Sequence, residues 1–211
     1  MRIRITFAKQ GALRYTGHLD LHRLWERAAR RAELPLAYSQ GFHPQPKMTI
    51  AAALPLGFSS RCEVIDLRLE HEISLEGLSE KLQQTLPTGI RVSNVESVDE
   101  KLPALQTQVS SAEYEVTLTD SSSSFRVDGS DLKRRIDSVM ESESLIRERR
   151  GKTYDLRPLI EELKLESAGK IYMRLAAREG ATGRPEEVLD ILGIAFEETR
   201  IERTQLIFKS S

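Results

Sequence analysis

The chain has 211 residues, 39% of them hydrophobic and 30% charged, with a formal net charge of −1 and a single cysteine, Cys62. That length holds one large domain or two small ones, and one thiol excludes an internal disulfide. No stretch is long and apolar enough to span a bilayer, and the opening Met1-Arg2-Ile3-Arg4-Ile5 lacks the apolar run of a secretory signal, so the expectation is a cytoplasmic protein with no membrane partner.

The near-zero net charge hides a segregation. Met1 to Arg61 carries ten Lys+Arg against three Asp+Glu, a balance of +7, and the remainder carries 21 against 29, a balance of −8. Local fields rather than totals steer an anionic partner.

In chain order, Arg2 to Lys9 alternates Ile3, Ile5 and Phe7 with Arg2, Arg4 and Thr6, as a half-buried strand does. Gln10 to Gly17 reads as a loop. A helix follows: Leu21, Leu24, Trp25, Ala28 and Ala32 recur at helical spacing, while Arg23, Arg27, Arg30 and Arg31 project from the opposite side. Asp20 suits the positive end of the helix dipole. The planar arginine fork grips phosphates through paired hydrogen bonds. Leu34-Pro35 leaves the helix, because a residue before proline avoids helical geometry. In Tyr38-Ser39-Gln40-Gly41-Phe42-His43-Pro44-Gln45-Pro46-Lys47, Gly41 frees the backbone and the two prolines stiffen it. Tyr38, Phe42 and His43 offer flat faces for an unpaired base; Ser39 and Gln40 offer hydrogen bonds.

Met48 to Leu56 is expected as an apolar strand, Gly57 to Ser60 as a turn and Cys62 to Leu69 as a strand. Ser74 to Leu86 is expected as a helix, capped by Ser74 and ended by Pro87. Ile90 to Val98 closes the first half as a strand, and residues 99–111 read as a linker. The second half, 112–211, runs as a strand at Ala112 to Leu118, a serine-rich turn at Asp120 to Ser124, a brief strand at Phe125 to Val127 and a helix capped by Ser130. Strands follow at Leu145 to Arg150, Ile160 to Leu165 and Ile171 to Ala177, the last two joined by a turn at Ser167-Ala168-Gly169, with an insertion at Tyr154 to Pro158. A helix at Pro185 to Leu192, ended by Gly193, and a strand at Thr199 to Phe208 complete the chain. The predicted class is α+β: two tandem ferredoxin-like βαββαβ units with antiparallel sheets, 1–98 bearing the basic helix and the Gly-Phe-His-Pro loop, and 112–211.

The residues Arg14-Tyr15-Thr16-Gly17-His18-Leu19-Asp20, Arg30-Arg31-Ala32, Leu34-Pro35, Tyr38 to Lys47 and Leu54-Pro55-Leu56-Gly57 resemble the radical SAM-associated (radical SAM-linked) protein family of bacteria. Members of that family occur alone or as the tail of a larger radical SAM protein, often encoded near an RNase E/G-type ribonuclease and ribosomal proteins. The resemblance implies a link to RNA processing or modification. An iron–sulfur cluster of the radical SAM type needs three close cysteines, so any radical chemistry belongs to a partner protein and no cofactor is expected in this chain.

The expected ligand is RNA, either tRNA or rRNA. The RNA-binding residues are Arg14, Tyr15, His18, Arg23, Arg27, Arg30, Arg31, Tyr38, Ser39, Gln40, Gly41, His43 and Lys47, converging on one cleft. His18 and His43, with Tyr15 assisting, are the candidates for acid–base cleavage or modification of RNA, since histidine titrates near neutrality. The alternative is a protein adaptor whose arginines meet an acidic surface on a radical SAM enzyme. His18 and His22 stand four apart on the helix, but no second ligand pair accompanies them and no metal is assigned.

Overall fold

The computed structural model describes residues 1–119, 129–167 and 169–209. The chain is a mixed α+β protein that divides into two compact units, Met1–Val109 and Ser110–Ser211.

The first unit holds strand β1 (Arg2–Lys9), helix α1 (His18–Arg31), strands β2 (Met48–Ile50) and β3 (Ser59–Arg68), helix α2 (Leu78–Thr85), strand β4 (Ile90–Val98) and a short helix α3 (Leu105–Gln108). β1 lies between β3 and β4 and is antiparallel to both, with Ile5 opposite Ile65 on one side and Val95 on the other. β2 adds to the far side of β3, again antiparallel. The strand order is therefore β2-β3-β1-β4.

The period of two decides the faces of β1. Ile3, Ile5 and Phe7 are fully buried in one apolar cluster with Leu21 and Trp25 of α1 and Leu78 and Leu82 of α2, so both helices cover the same face. Phe7 meets Trp25 edge to face, with centroids 4.7 Å apart. On the other face Asp66 is buried between two arginines: Arg2 donates to its Oδ2 at 2.8 and 2.6 Å, and Arg4 to Oδ1 at 2.9 Å. Arg2 reaches on to the carbonyls of Leu102 (2.8 Å) and Pro103 (3.1 Å) and so ties down the segment after β4.

α1 ends in a paired backbone motif: Leu34 N–H donates to Ala29 O (3.0 Å) and Glu33 N–H to Arg30 O (3.0 Å). Glu33 takes the left-handed conformation (φ 53°) that glycine normally fills there. This closure sets the last turn, with Arg30 and Arg31, immediately before the chain turns at Pro35.

Several boundaries differ from expectation. Of Met48 to Leu56 only Met48–Ile50 forms a strand; Ala51 N–H still donates to Val64 O (2.9 Å), and the chain bends at Ala51 and Ala52. β3 starts three residues earlier than Cys62. α2 begins at Leu78, not after Ser74: Gly77 stands at its N-terminus with φ 69°, a left-handed residue that breaks the helical run. The stretch read as a linker contains α3 and the first residues of the next strand, and Leu105 and Val109 are fully buried.

The second unit holds β5 (Val109–Leu118), α4 (Gly129–Glu141), β6 (Ile146–Arg149), β7 (Lys152–Asp155), β8 (Ile160–Ser167), β9 (Lys170–Arg178), β10 (Ala181–Thr182), α5 (Pro185–Ile191) and β11 (Thr199–Phe208). β9 pairs antiparallel with β5 and with β8, and β11 borders β5, so the order is β8-β9-β5-β11, with the two-residue β10 also on β9. β6 and β7 form a separate hairpin with Arg149 opposite Lys152. Leu132, Ile136 and Val139 of α4 are buried; Met140 is only half-buried. The expected serine-rich turn at 120–124 and brief strand at 125–127 lie outside the described residues, as does position 168 of the expected 167–169 turn.

Candidate nucleic-acid interface

α1 buries Leu21, Trp25, Ala28 and Ala29 and leaves Arg23, Arg27, Arg30 and Arg31 exposed. The arginines do not act as one row. Arg23, Arg27 and Arg31, spaced by four, line a groove of about 610 Å³ whose other wall is the end of α2 and the turn after it, Gln84 to Pro87. The Thr85 hydroxyl pins that wall, its single hydrogen lying within reach of Leu82 O (2.8 Å) and Ala28 O (3.2 Å) as acceptors. Arg30 points the other way, toward the loop: its Nε donates to the Tyr38 hydroxyl at 3.1 Å and its guanidinium stands 5.8 Å from the Tyr38 ring centre. The single cleft expected from the sequence is thus a groove and a flanking loop on two sides of one helix.

Carboxylates reach only part of the set. Arg30 pairs with Glu26 at 2.9 Å and Arg23 with Asp20 at 3.6 Å. Arg27 and Arg31 have no hydrogen bond or ion pair among the described residues, so their full charge faces the groove. The hydrogen bond from Arg30 to Tyr38, and then the charges of Tyr38 and Glu26, raise the Arg30 pKa above its ordinary value.

The loop has a tied neck and a free tip. Tyr38 bridges Pro46. Ser39 N–H donates to Gln45 O (2.8 Å), Gln45 N–H to Ser39 Oγ (2.9 Å) and Lys47 N–H to Ala37 O (2.8 Å). Ser39 is therefore half-buried and engaged in the neck, whereas Gln40, Gly41, His43 and Lys47 are exposed. Gly41 has φ 128°, a conformation closed to side chains, and lets the tip reverse. Phe42 at the tip is 102% exposed. An aromatic ring wholly in water with nothing packed on it is the informative observation in this loop, because burial is where such rings gain free energy.

Before α1, Arg14 lies over the exposed Tyr15 ring at 4.8 Å and donates to its hydroxyl at 2.9 Å. Gly57 N–H donates to Arg14 O (2.9 Å) and Lys9 Nζ to Thr16 O (2.9 Å), so the approach to the helix is held from two sides. His18 is the first residue of α1 and exposed. Neither His18 nor His43 makes a hydrogen bond or ion pair among the described residues, and no contact joins them to each other. His22 Nε2 donates to Met48 O at 3.3 Å. No three His, Cys, Asp or Glu side chains gather to hold a metal ion among the described residues.

Thr16, Gln84 and Thr85 line the groove and were absent from the sequence-derived set. Their signal was topological: two helices crossing the same face of one sheet must meet, so the end of α2 had to border α1. Among the described residues no helix is long and apolar enough to cross a membrane.

No curated protein matches this chain. A family model does, over residues 2–185, which takes in the arginine helix, the loop and most of the second unit. The chain belongs to the bacterial family described as "Uncharacterized protein conserved in bacteria (DUF2344)".

Proposed function

We propose that this protein binds RNA, tRNA or rRNA, through its first unit, and that it does so beside a radical SAM enzyme engaged in RNA modification or processing. One observation carries the RNA reading: Arg27 and Arg31 are exposed on a groove and unpaired among the described residues, on the same helix whose Arg30 meets a loop with a bare Phe42 at its tip. Guanidinium groups without internal partners suit backbone phosphates. A solvated ring beside them suits a splayed base, since sequence-specific recognition of RNA targets unpaired nucleotides. The element order β-α-β-β-α-β with strand order 2-3-1-4, present in the first unit and, with the β6–β7 hairpin and β10 as additions, in the second, supports reading both as ferredoxin-like. The radical SAM partner rests on the family resemblance of the Arg14–Gly57 segment.

Crosslinking in cells tests both halves at once. Sequencing of attached RNA should return tRNA or rRNA fragments, with crosslinks mapping to Tyr38, Phe42 and α1, and identification of attached proteins should return a radical SAM enzyme. Recovery of no RNA above an uncrosslinked control would contradict the first half, and recovery of RNA with no such enzyme would contradict the second.

A further inference from the structure

The second unit carries its own cluster of unpaired cations. Arg149, Arg150, Lys152 and Arg184 line a groove of about 610 Å³ with Tyr154 and Thr182. None of the four side chains has a carboxylate partner among the described residues. The other cations of the hairpin region are engaged: Arg147 pairs with Glu187 and Asp190, and Arg157 donates to Ile160 O (3.0 Å) and Met140 O (2.8 Å).

The acids nearby do not neutralise the groove. Asp155, which lines it, accepts the backbone N–H groups of Leu145 (2.7 Å) and Arg157 (2.9 Å). Glu187 takes Arg147 and the Tyr154 hydroxyl. Glu186 feels the charge of Arg149 but forms no ion pair with it among the described residues.

Two local rules are broken at the hairpin tip. Arg149 and Lys152 stand directly opposite each other across the β6–β7 ladder, a like-charge pair that disfavours the hairpin. Between them Arg150 adopts φ 51° and Gly151 φ 73°, a two-residue turn with positive φ at both positions. Such turns favour Asn or Asp followed by Gly, and an arginine is strained in that conformation. Backbone strain and like-charge crowding at one exposed place mark a site that something else compensates.

We propose that this groove binds phosphate groups, as presented by an RNA backbone, and gives the protein a second point of attachment. The identity of the polymer rests on the RNA reading above; the phosphate site rests on this geometry alone. Four unpaired cations around a concave surface, one of them held at a strained turn, match clustered oxyanions.

The full-length protein, isotope-labelled, is titrated with inorganic pyrophosphate and separately with a 20-nucleotide single-stranded RNA, and backbone amide shifts are followed. Shifts at Arg149 to Lys152 and at Arg184 are expected with both ligands. In Arg149→Glu/Arg184→Glu they should disappear while RNA-induced shifts along α1 persist. Arg150→Gly separates function from folding: it relieves the turn, so thermal stability should rise, while pyrophosphate binding weakens roughly tenfold through loss of a charge-assisted contact. Shifts with pyrophosphate but not RNA would keep the phosphate site and overturn RNA as its source. Absence of shifts in this unit with either ligand would overturn the proposal. Shifts here with none along α1 would instead remove the first-unit reading and leave this one standing.

Discussion

α1 and α4 occupy the same place in their units, each being the first helix after the first strand, and each carries a run of cations. They treat those cations differently. In α4, Lys133 meets Asp137 at 3.4 Å, Arg134 meets Asp131 at 2.9 Å, and Arg135 meets Asp131 at 2.7 Å and Leu192 O at 2.9 Å. In α1, among the described residues, only Arg23 and Arg30 find carboxylates. Exposed pairs of this kind add about 0–1 kcal/mol, so the pairing in α4 does little for stability. Its consequence is electrostatic: α4 shows the solvent a neutralised face, and α1 shows it two unpaired guanidinium groups. Counting basic residues separates the helices only by four to three; the partners of those residues separate them further.

The largest effect expected from disturbing these arrangements is structural. Arg2 and Arg4 both meet the buried Asp66, and Asp66→Ala would remove that shared carboxylate and leave the buried Arg2 to the carbonyls of Leu102 and Pro103. Loss of one partner of a buried pair costs about 3–5 kcal/mol, so chemical denaturation should show a correspondingly reduced unfolding free energy. A loss below about 1 kcal/mol would mean the site is wetter than its burial implies.

Reversing the free cations should do the opposite, with a loss of ligand and little loss of stability. Arg27→Glu/Arg31→Glu should weaken RNA binding by about 3 kcal/mol, roughly a hundredfold in Kd, with an unchanged melting temperature. The matched pair in α4, Lys133→Glu/Arg134→Glu, should leave affinity within about twofold, since those charges are already neutralised. Equal losses from the two helices, read by fluorescence anisotropy, would erase the distinction drawn between them.

Phe42→Ala isolates the loop. Stacking on an aromatic side chain is worth about 1–3 kcal/mol per base, and affinity for single-stranded RNA should fall accordingly. Affinity for a perfect duplex, which offers no free base, should not change. Thermal stability should not fall either, because the ring is packed against nothing.

The smallest effect belongs to the second unit. Burial, followed by the hydrogen bond to Glu187, pushes the Tyr154 hydroxyl up to about 12, and burial followed by Glu113 does the same for Tyr172. Below about pH 10 both hydroxyls are protonated whether the chain is folded or not, and neither contributes a pH dependence. Between about pH 10 and 12 the unfolded chain ionises first, so stability should fall as pH rises, and Tyr154→Phe/Tyr172→Phe should flatten that fall in denaturation series. An undiminished slope in the double variant would assign the base sensitivity elsewhere.

How much of this was legible in the sequence follows from where each signal resides. Strands with one buried face, such as β1 with Ile3, Ile5 and Phe7, are written in a period of two and were readable. The stripe of α1 was readable for the same reason, except that Leu24 lies half-buried on the groove and Ala29 joins the core in its place. Runs defined by apolar content alone misled. Met48 to Leu56 looks like one strand, yet the strand ends at Ile50 because the chain bends at Ala51 and Ala52, a change of direction that hydrophobicity does not encode. The leucine spacing from Leu75 onward looked helical from Ser74, but Gly77 took a left-handed conformation that side-chain periodicity does not encode. The β6–β7 hairpin was half-seen, since polar residues on both faces hide the alternation and Arg150 stands where such a turn favours Asn or Asp before its Gly. Which arginines are free could not be read at all: spacing alone does not decide whether an acid three or four residues away pairs, and it is in the folded helix that Glu26 meets Arg30 and leaves Arg27 and Arg31 without a carboxylate among the described residues.

Arg27 and Arg31 are the core of the α1 interface, and counterion release reads them directly. For single-stranded nucleic acid the slope of log affinity against log salt is about 0.7 per neutralised phosphate. Arg27→Ala/Arg31→Ala should therefore reduce the slope of the full-length protein by about 1.4 relative to wild type. An identical slope in the two proteins would show that neither guanidinium touches a phosphate, and would contradict the interface described for α1.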